Sequence, residues 1–271
     1  MAASLLKGKV VVITGAASGI GKATSKLLAK NGVLLSLADI NEQGLAKFKS
    51  ELQNERGGAI NIDQDILTFV VDVRSAEACN KWITDTVSYF NQPIWGAANI
   101  AGVFGPNDGL PGGTIRNLTN EEFDAVFDVN VKGLLNCLRA QLPRIQVGQG
   151  GRGGGSIVNT SSLQGTIPMP LSGPYAASKH AINSLTRTAA KEEGERAIRV
   201  NAIAPGVIST PMIARYEEST GGREDVMRVD PGALARRGDS EEIAELIAYL
   251  LSPASSFVTG ALIAIDGGWA C

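Results

Sequence analysis

The stretch "KVVVITGAASGIG" (residues 9–21) indicates the architecture of the whole chain, because its periodicity changes halfway along. The first half is a continuous apolar run, which is typical of a strand buried on both faces of a parallel sheet. Glycines at positions 15, 19 and 21 follow, and a helical pattern runs from about Ile20 to Lys30. A glycine-rich turn that opens a helix points backbone N–H groups at an anion such as pyrophosphate. The spacing is G-x3-G-x-G rather than G-x-G-x-x-G, and a tight turn without a ligand is the alternative.

The same alternation of apolar runs and helical patterns continues to the end of the chain. Further apolar runs lie at 32–39, 66–73, 94–102, 156–162, 198–206 and 261–268. Helical patterns lie between them at 41–55, 76–90, 119–146, 174–194 and 240–251. Strands that alternate with helices predict a parallel sheet covered on both faces. No change of composition divides the chain, so we predict an α/β fold with one domain over residues 1–271: a doubly wound parallel sheet of about seven strands.

Composition excludes several classes of function. The chain has 271 residues, 44% of them hydrophobic, and a net charge of -2 with dispersed Lys and Arg, so no basic stripe indicates nucleic acid. No apolar run reaches the roughly 18 residues of a membrane span, and the N-terminus lacks the pattern of a signal peptide. Cys79, Cys137 and Cys271 are widely spaced and form no metal or disulfide pattern. We therefore expect a reduced, cytoplasmic protein without a metal.

Asp39 is the strongest candidate for a residue that discriminates between related ligands. It ends the second predicted strand, 24 residues after Gly15, and ligands of such sheets bind beyond the carboxyl ends of the strands. A carboxylate there accepts hydrogen bonds from both hydroxyls of an adenosine ribose and repels a 2′-phosphate. No Lys or Arg lies at 14–21 or 40–41 to neutralise that phosphate. The sequence thus predicts NAD, with a solvated, helix-capping aspartate as the alternative.

The stretch "SGPYAASKHA" (172–181) places Tyr175 and Lys179 one helical turn apart. Pro174 suits the first turn of a helix, where backbone N–H groups favour a negative charge. The helix terminus and the ammonium both favour phenolate over phenol, which predicts an acid or base active near neutral pH. The alternative is a surface helix with a half-buried Tyr and a solvated Lys. His180 is the one histidine of the chain, and we expect it to be exposed or satisfied rather than part of a Ser-His-Asp triad.

Taken together, the motifs resemble those of the short-chain dehydrogenase/reductase family from about residue 8 to 269. The matching pieces are "TGAASGIG" (14–21), "ADI" (38–40), "DV" (72–73), "NIAG" (99–102), "DVNVKG" (128–133), "NTSS" (159–162), "YAASK" (175–179), "NAIAPGVISTPM" (201–212) and "IDGGW" (265–269). Each motif is weak alone, whereas their order and spacing are specific. One departure is Ile100, where the family often has a second Asn. The resemblance implies a Rossmann-like fold and hydride transfer between NAD(H) and a secondary alcohol or ketone.

The family roles carry over to positions in this chain. The resemblance implies that Tyr175 is the catalytic acid/base and that Lys179 binds the nicotinamide ribose and lowers the phenol pKa. It implies that Ser162 binds the substrate oxygen and that Asn130 holds a water in the proton relay. The predicted cofactor-binding residues are Gly15, Ser18, Gly19, Ile20, Gly21, Asp39, Ile40, Asp72, Val73, Asn99, Ala101, Gly102, Tyr175, Lys179, Pro205, Gly206, Ile208 and Thr210.

Substrate identity is less sharply indicated. By analogy with the family, residues 207–237 cover the active site as a lid. The candidate pocket walls are Leu163, Met169, Met212, Ile213 and Tyr216, with ordinary lid packing as the alternative. Such walls favour an apolar or cyclic small molecule, whereas Arg215, Arg223 and Arg228 leave an acidic substrate open.

Two other functions and an assembly state complete the predictions. A carrier-protein or polyketide-type ketoreductase is the alternative enzyme; it predicts a basic residue near Asp39 and a basic rim. A non-catalytic dinucleotide-binding regulator predicts a broken tetrad, and all four positions are intact here. Many members of the family are tetramers, and the helical segments 119–146 and 180–194 carry an excess of apolar positions: Val126, Val129, Leu134, Leu138, Ala181 and Leu185. We therefore expect a homo-oligomer, most simply a tetramer.

Overall fold

The computed structural model describes residues 2–54, 61–221 and 232–270. Within these ranges the strands form one parallel, seven-stranded sheet in the order β3-β2-β1-β4-β5-β6-β7. The strands are β1 (Val10–Thr14), β2 (Leu34–Asp39), β3 (Ile66–Val70), β4 (Gly96–Asn99), β5 (Ser156–Thr160), β6 (Arg199–Pro205) and β7 (Leu262–Ile265). The predicted Rossmann-like, doubly wound sheet is confirmed.

Helices cover both faces of the sheet. They are α1 (Gly19–Lys30), α2 (Glu42–Asn54), α3 (Ile62–Asp65), α4 (Ala76–Phe90), α5 (Asn120–Phe127), α6 (Gly133–Gln141), α7 (Gly173–Glu192), α8 (Pro211–Ser219) and α9 (Ser240–Leu251). Two separate apolar cores result. One core contains Leu28 of α1 and Ile247 of α9, and the other contains Trp82 of α4 and Ile182 of α7. The inner strands β1, β4, β5 and β6 are therefore buried on both sides, which explains their continuous apolar runs in the sequence.

The long helix predicted over 119–146 is confirmed as continuous helical backbone over 120–144, with a π turn inside it. The chain there forms α5, then a π turn over Asp128–Lys132, then α6 and a short 3-10 turn. The π turn brings the Asn130 side chain inward. There its amide bonds the backbone N–H and C=O of Val103 at 2.8 and 2.9 Å. Apolar periodicity does not reveal such a turn, and π turns are frequent at functional sites.

The predicted lid region is partly described. It contains α8, which the sequence interpretation did not anticipate. Residues 222–231 of the predicted lid, including Arg223 and Arg228, lie outside the described residues.

The sheet order fixes where a ligand can bind. β1 pairs with β2 on one side and with β4 on the other, so the strand order reverses between β1 and β4 and opens a crevice at their carboxyl ends. A threonine hydroxyl links the two turns that border the crevice. Thr14 Oγ1 accepts hydrogen bonds from the N–H groups of Ile100 and Ala101 at 3.1 and 3.2 Å, which joins the turns that follow the two strands.

No described helix combines the length and the apolar character needed to cross a bilayer.

Candidate active site

A cavity of about 610 Å³ opens at the carboxyl edge of the sheet and extends beneath α8. It brings together most of the residues singled out in the sequence. The predicted site residues in its wall are Gly15, Ser18, Gly19, Ile20, Asp39, Ile40, Asp72, Val73, Ala101, Gly102, Ser162, Tyr175, Lys179, Pro205, Gly206, Ile208 and Thr210. All five candidate substrate-pocket residues also line it: Leu163, Met169, Met212, Ile213 and Tyr216.

The glycine-rich turn fits the diphosphate of a dinucleotide. Gly15 has a φ of +69°, and a Cβ on it would lie 3.0 Å from the backbone N of Ala101. Gly19 has a φ of +49° and faces Thr210 at similar range. Ser18 stands at the N-cap of α1, and its side chain makes no capping hydrogen bond. The turn therefore carries only small side chains, those of Ala16, Ala17 and Ser18, beside a helix N-terminus, which is the arrangement that receives a phosphate.

Asp39 is held in place by backbone groups. Its Oδ2 accepts a hydrogen bond from Ala17 N at 3.0 Å, and its Oδ1 accepts one from Asn41 N at 2.9 Å. The carboxylate thus faces the glycine-rich turn at the end of β2. Lys22, the nearest cation in the sequence, bonds Glu51 at 2.6 Å instead.

Asp72 lies at the predicted adenine end of the cavity. Both of its oxygens accept hydrogen bonds from the guanidinium of Arg74, the shortest at 2.6 Å. This partner holds the pKa of Asp72 below its usual range. Arg74 also lines the cavity, so an adenine base bound there would meet both the carboxylate and the guanidinium.

The predicted catalytic side chains meet where β5 ends and α7 begins. Tyr175 and Lys179 are both buried, and Lys179 Nζ lies 5.3 Å from the centre of the phenol ring. Lys179 Nζ donates to the carbonyl oxygen of Thr160 at 2.9 Å. Ser162 lies beside the phenol of Tyr175 and lowers its pKa, and the Ser162 hydroxyl accepts a hydrogen bond from Gln164 N at 3.1 Å.

The expected pKa of Tyr175 is wrong for the chain by itself. Burial raises the pKa of Tyr175 to about 12; the Ser162 hydrogen bond lowers it and the Asp108 carboxylate raises it further. Burial also lowers the pKa of Lys179 to about 8. Desolvation of both charged forms therefore outweighs the helix terminus and the ammonium, which the spacing of the two residues could not show.

Three predicted site residues lie outside the wall of the cavity. Asn99 donates to Asn159 Oδ1 at 2.9 Å and exchanges hydrogen bonds with Gln141 at 3.1 and 2.8 Å; it braces the sheet rather than lining the adenosine side. Gly21 packs the turn, because a Cβ there would overlap the carbonyl of Gly15. Asn130 is buried behind Gly102: a Cβ on Gly102 would lie 3.3 Å from its Oδ1 and 3.5 Å from Lys179 Nζ.

Asn130 therefore contacts the neighbours of the cavity residues rather than the cavity itself. Its Nδ2 donates to Ser178 Oγ at 3.0 Å, and its remaining hydrogen bonds are those to Val103. These bonds fix the strand-end loop against α7. His180, by contrast, is exposed and bonds Ala176 O through Nδ1 at 2.9 Å, so no Ser-His-Asp triad forms.

Sequence reasoning missed three residues around the substrate side. The Phe104 ring lies 4.4 Å from the Tyr175 ring and 5.2 Å from the Tyr216 ring, which roofs the phenol with aromatic surface. Asp108 is buried, accepts from Gly105 N at 2.6 Å, and has its pKa raised to about 6 by that burial. Gln164 lines the cavity beside Ser162. All three belong to loops or short turns, where periodicity carries no signal.

Comparison with known proteins settles the family. The profile described as Enoyl-(Acyl carrier protein) reductase matches residues 15–270, and a relative named short-chain dehydrogenase/reductase aba4, from Botryotinia fuckeliana, is 42% identical over 100% of both chains. The chain belongs to the short-chain dehydrogenase/reductase family.

Two further members of the family are close to this chain. A 2,5-dichloro-2,5-cyclohexadiene-1,4-diol dehydrogenase from Sphingobium indicum is 35% identical over 97% of this chain and 98% of its own. The crystal structure of levodione reductase superposes with a TM-score of 0.86 at 34% identity, covering 98% of each chain. The chain is therefore an oxidoreductase enzyme that uses a nicotinamide dinucleotide, which removes the non-catalytic regulator from the alternatives.

Proposed function

We propose that the chain is an NAD-dependent dehydrogenase/reductase that interconverts a secondary alcohol and a ketone on an apolar, cyclic small molecule. The observation that carries this proposal is the contact of Ser162, Tyr175 and Lys179 beneath an aromatic roof. An acid/base, a hydroxyl and a cation converge there on one wall of an apolar cavity.

The reaction divides between protein and cofactor. The bound nicotinamide supplies the hydride acceptor or donor. Tyr175 gives a proton to the carbonyl oxygen in reduction, or removes the hydroxyl proton in oxidation. The Ser162 hydroxyl binds that same substrate oxygen. Lys179 would hold the nicotinamide ribose, and its ammonium would place a positive charge near the phenol. A cationic, oxidised nicotinamide would favour the phenolate further.

Asn130 has a positioning role in this scheme. Its bonds to Val103 and Ser178 hold the loop after β4 against α7, which carries both Tyr175 and Lys179. A water held by Asn130 would extend the proton relay to the buried ammonium, since the amide lies on the same side of Gly102 as Lys179 Nζ.

Asp39 supports NAD as the preferred cofactor. Its carboxylate is fixed at the end of β2 by Ala17 N and Asn41 N. A ribose with free hydroxyls can donate to this carboxylate, whereas a 2′-phosphate would face its negative charge.

The cavity walls support an apolar ring as substrate. Leu163, Met169, Met212 and Ile213 line the space beside the Phe104 and Tyr216 rings, and α8 belongs to the proposed lid. One relative's name specifies a cyclohexadiene diol. A carrier-protein ketoreductase is the second candidate, because the matching family profile is described as an acyl-carrier-protein reductase.

The chain is further proposed to form a homo-oligomer, most simply a tetramer. Val126, Leu134 and Leu138 do not contribute to an interface between copies, because they are buried within the chain itself. The exposed rings and side chains on α5 and α6 take their place: Phe123 is 37% exposed and Leu135 is 40% exposed. Light scattering at micromolar concentration tests this; a monomeric mass would refute it.

Assays of purified protein with NAD or NADP and a panel of substrates test the function. Cyclic secondary alcohols and ketones should show cofactor-dependent turnover, followed by nicotinamide absorbance. A β-ketoacyl carrier protein and its thioester analogue serve as the rival substrates. Turnover of the thioester alone, without any cyclic alcohol or ketone, would overturn the proposal in favour of the second candidate.

A further inference from the structure

We propose that Gln164 makes this enzyme selective for ring substrates that carry a second hydroxyl group besides the one that reacts: cyclic diols and the corresponding hydroxyketones. The inference rests on the proposed function and names the substrate class of the same site. It assigns the specificity to one amide side chain in an otherwise apolar part of the wall.

The backbone places Gln164 immediately beside the reacting oxygen. It belongs to the short 3-10 turn Leu163–Gly165, which follows directly on Ser162. Gln164 N donates to Ser162 Oγ at 3.1 Å, so the turn is tied to the residue that is proposed to hold the reacting oxygen. Gln164 is itself one of the residues that line the cavity.

The amide oxygen of Gln164 lacks a partner within the described part of the chain. This atom, Oε1, is buried, yet it accepts no hydrogen bond there. A buried amide oxygen without a donor is unfavourable, and the neighbouring walls of Leu163, Met169 and Met212 offer only apolar groups and a weak thioether acceptor. A substrate hydroxyl satisfies this amide in either orientation, because a hydroxyl both donates and accepts.

Another polar group in the wall is already engaged: Ser161 Oγ donates to Lys179 O at 3.1 Å. Thr160 Oγ1 is also buried without a partner, but the Thr160 carbonyl binds Lys179 Nζ, which places this residue on the nicotinamide side. Gln164 is thus the group best placed for a second substrate hydroxyl, and Thr160 provides a matched control.

The test compares kcat/KM for cyclohexanol, 4-methylcyclohexanol and the 1,2-, 1,3- and 1,4-cyclohexanediols. At least one diol should exceed both mono-alcohols by about tenfold or more, since a site that leaves its own buried polar group unpaired rejects the analogue without the hydroxyl. This factor lies well above the statistical advantage of having two reactive hydroxyls. Gln164→Met, of similar size without the amide, should bring the ratio close to one. Thr160→Val should leave the ratio as in the parent.

Binding of the best diol to the enzyme–NADH complex, followed by nicotinamide fluorescence, gives a readout that does not depend on turnover. The Gln164→Met change should weaken that binding by the same factor, and Gln164→Leu serves as a second variant if the first does not fold. Equal kcat/KM for the diols and the mono-alcohols in the parent enzyme would overturn the inference while leaving the proposed function standing. A diol preference that persists in both Gln164 variants would also overturn it. Absence of turnover with every alcohol and ketone would instead overturn the proposed function.

Discussion

Replacing Asp39 with Asn should weaken the enzyme's preference for NAD over NADP. The Asp39 carboxylate is held by Ala17 N and Asn41 N at 3.0 and 2.9 Å, so it has little freedom to move away from a 2′-phosphate. That phosphate brings between one and two negative charges. At about 4 Å and an effective dielectric of about 20, each pair of unit charges costs roughly 4 kcal/mol.

Solvent and small movements reduce this repulsion. Two cations of the described chain, Lys22 in α1 and Arg74 in the cavity wall, do not offset it, because they pair with Glu51 and Asp72. If about 2.7 kcal/mol of the repulsion remains, the preference for NAD is about a hundredfold. We therefore expect kcat/KM to favour NAD by well over tenfold in the parent enzyme.

The assay measures kcat/KM with each cofactor at a fixed substrate concentration, for the parent, Asp39→Asn and a control. Glu42→Gln is the matched control, because it removes the same charge from an exposed position at the start of α2. Asp39→Asn should narrow the ratio, both by losing a ribose contact with NAD and by removing the repulsion of NADP. Glu42→Gln should leave the ratio unchanged. Equal efficiency of both cofactors in the parent, or an unchanged ratio in Asp39→Asn, would refute this interpretation of Asp39.

The remaining predictions concern the charges and the packing around the phenol. Lys179→Ala should weaken cofactor binding and move the alkaline fall in ketone reduction to higher pH, since a positive neighbour no longer favours the phenolate; an unchanged pH profile would contradict the coupling. Asp108→Asn should move that fall to lower pH, because the Asp108 carboxylate raises the pKa of Tyr175. Folding raises the pKa of Asp108 from 3.8 to about 6, so the parent protein loses stability as pH rises through that window. The Asn variant lacks this ionisation and should have a higher free energy of unfolding at pH 7.5, by at most about 3 kcal/mol. A lower free energy of unfolding for the variant in urea titrations would count against this prediction. Gly109→Ala would place a methyl group onto Tyr216 Oη, which should displace α8 and raise KM more than it lowers kcat; unchanged steady-state constants would argue against this contact.

The sequence was sufficient for the sheet, because every strand corresponds to an apolar run and the inner strands are buried on both faces. The strands observed lie inside the predicted runs and are shorter, as in β4, where the run 94–102 contains the strand Gly96–Asn99. Such runs continue into the turns that follow the strands, so periodicity cannot mark where hydrogen-bonded pairing stops. The motifs that follow the strands predicted the position of the cleft, because ligands of such sheets bind beyond the carboxyl ends of the strands.

The details of the site depend on tertiary packing, which local sequence patterns do not encode. The side chain of Asn99 bonds Gln141 and Asn159, and this orientation follows from the helix packed against β4. The spacing of Tyr175 and Lys179 predicted their proximity, but not that burial would outweigh their mutual attraction. Phe104, Asp108 and Gln164 lie in loops and a short turn, whose positions are set by contacts distant in the sequence.

The turnover of Tyr175→Phe tests the central claim most directly. Removing the phenol oxygen leaves the ring under Phe104 and leaves the nicotinamide-binding groups intact. Fluorescence titration with NADH should therefore give cofactor binding close to that of the parent. In the same preparation, kcat for the best cyclic alcohol should fall by at least about 10²-fold, the scale of a lost general acid–base contribution. Cofactor binding retained together with near-parental turnover would contradict the account, because Tyr175 would then not be the group that moves the proton.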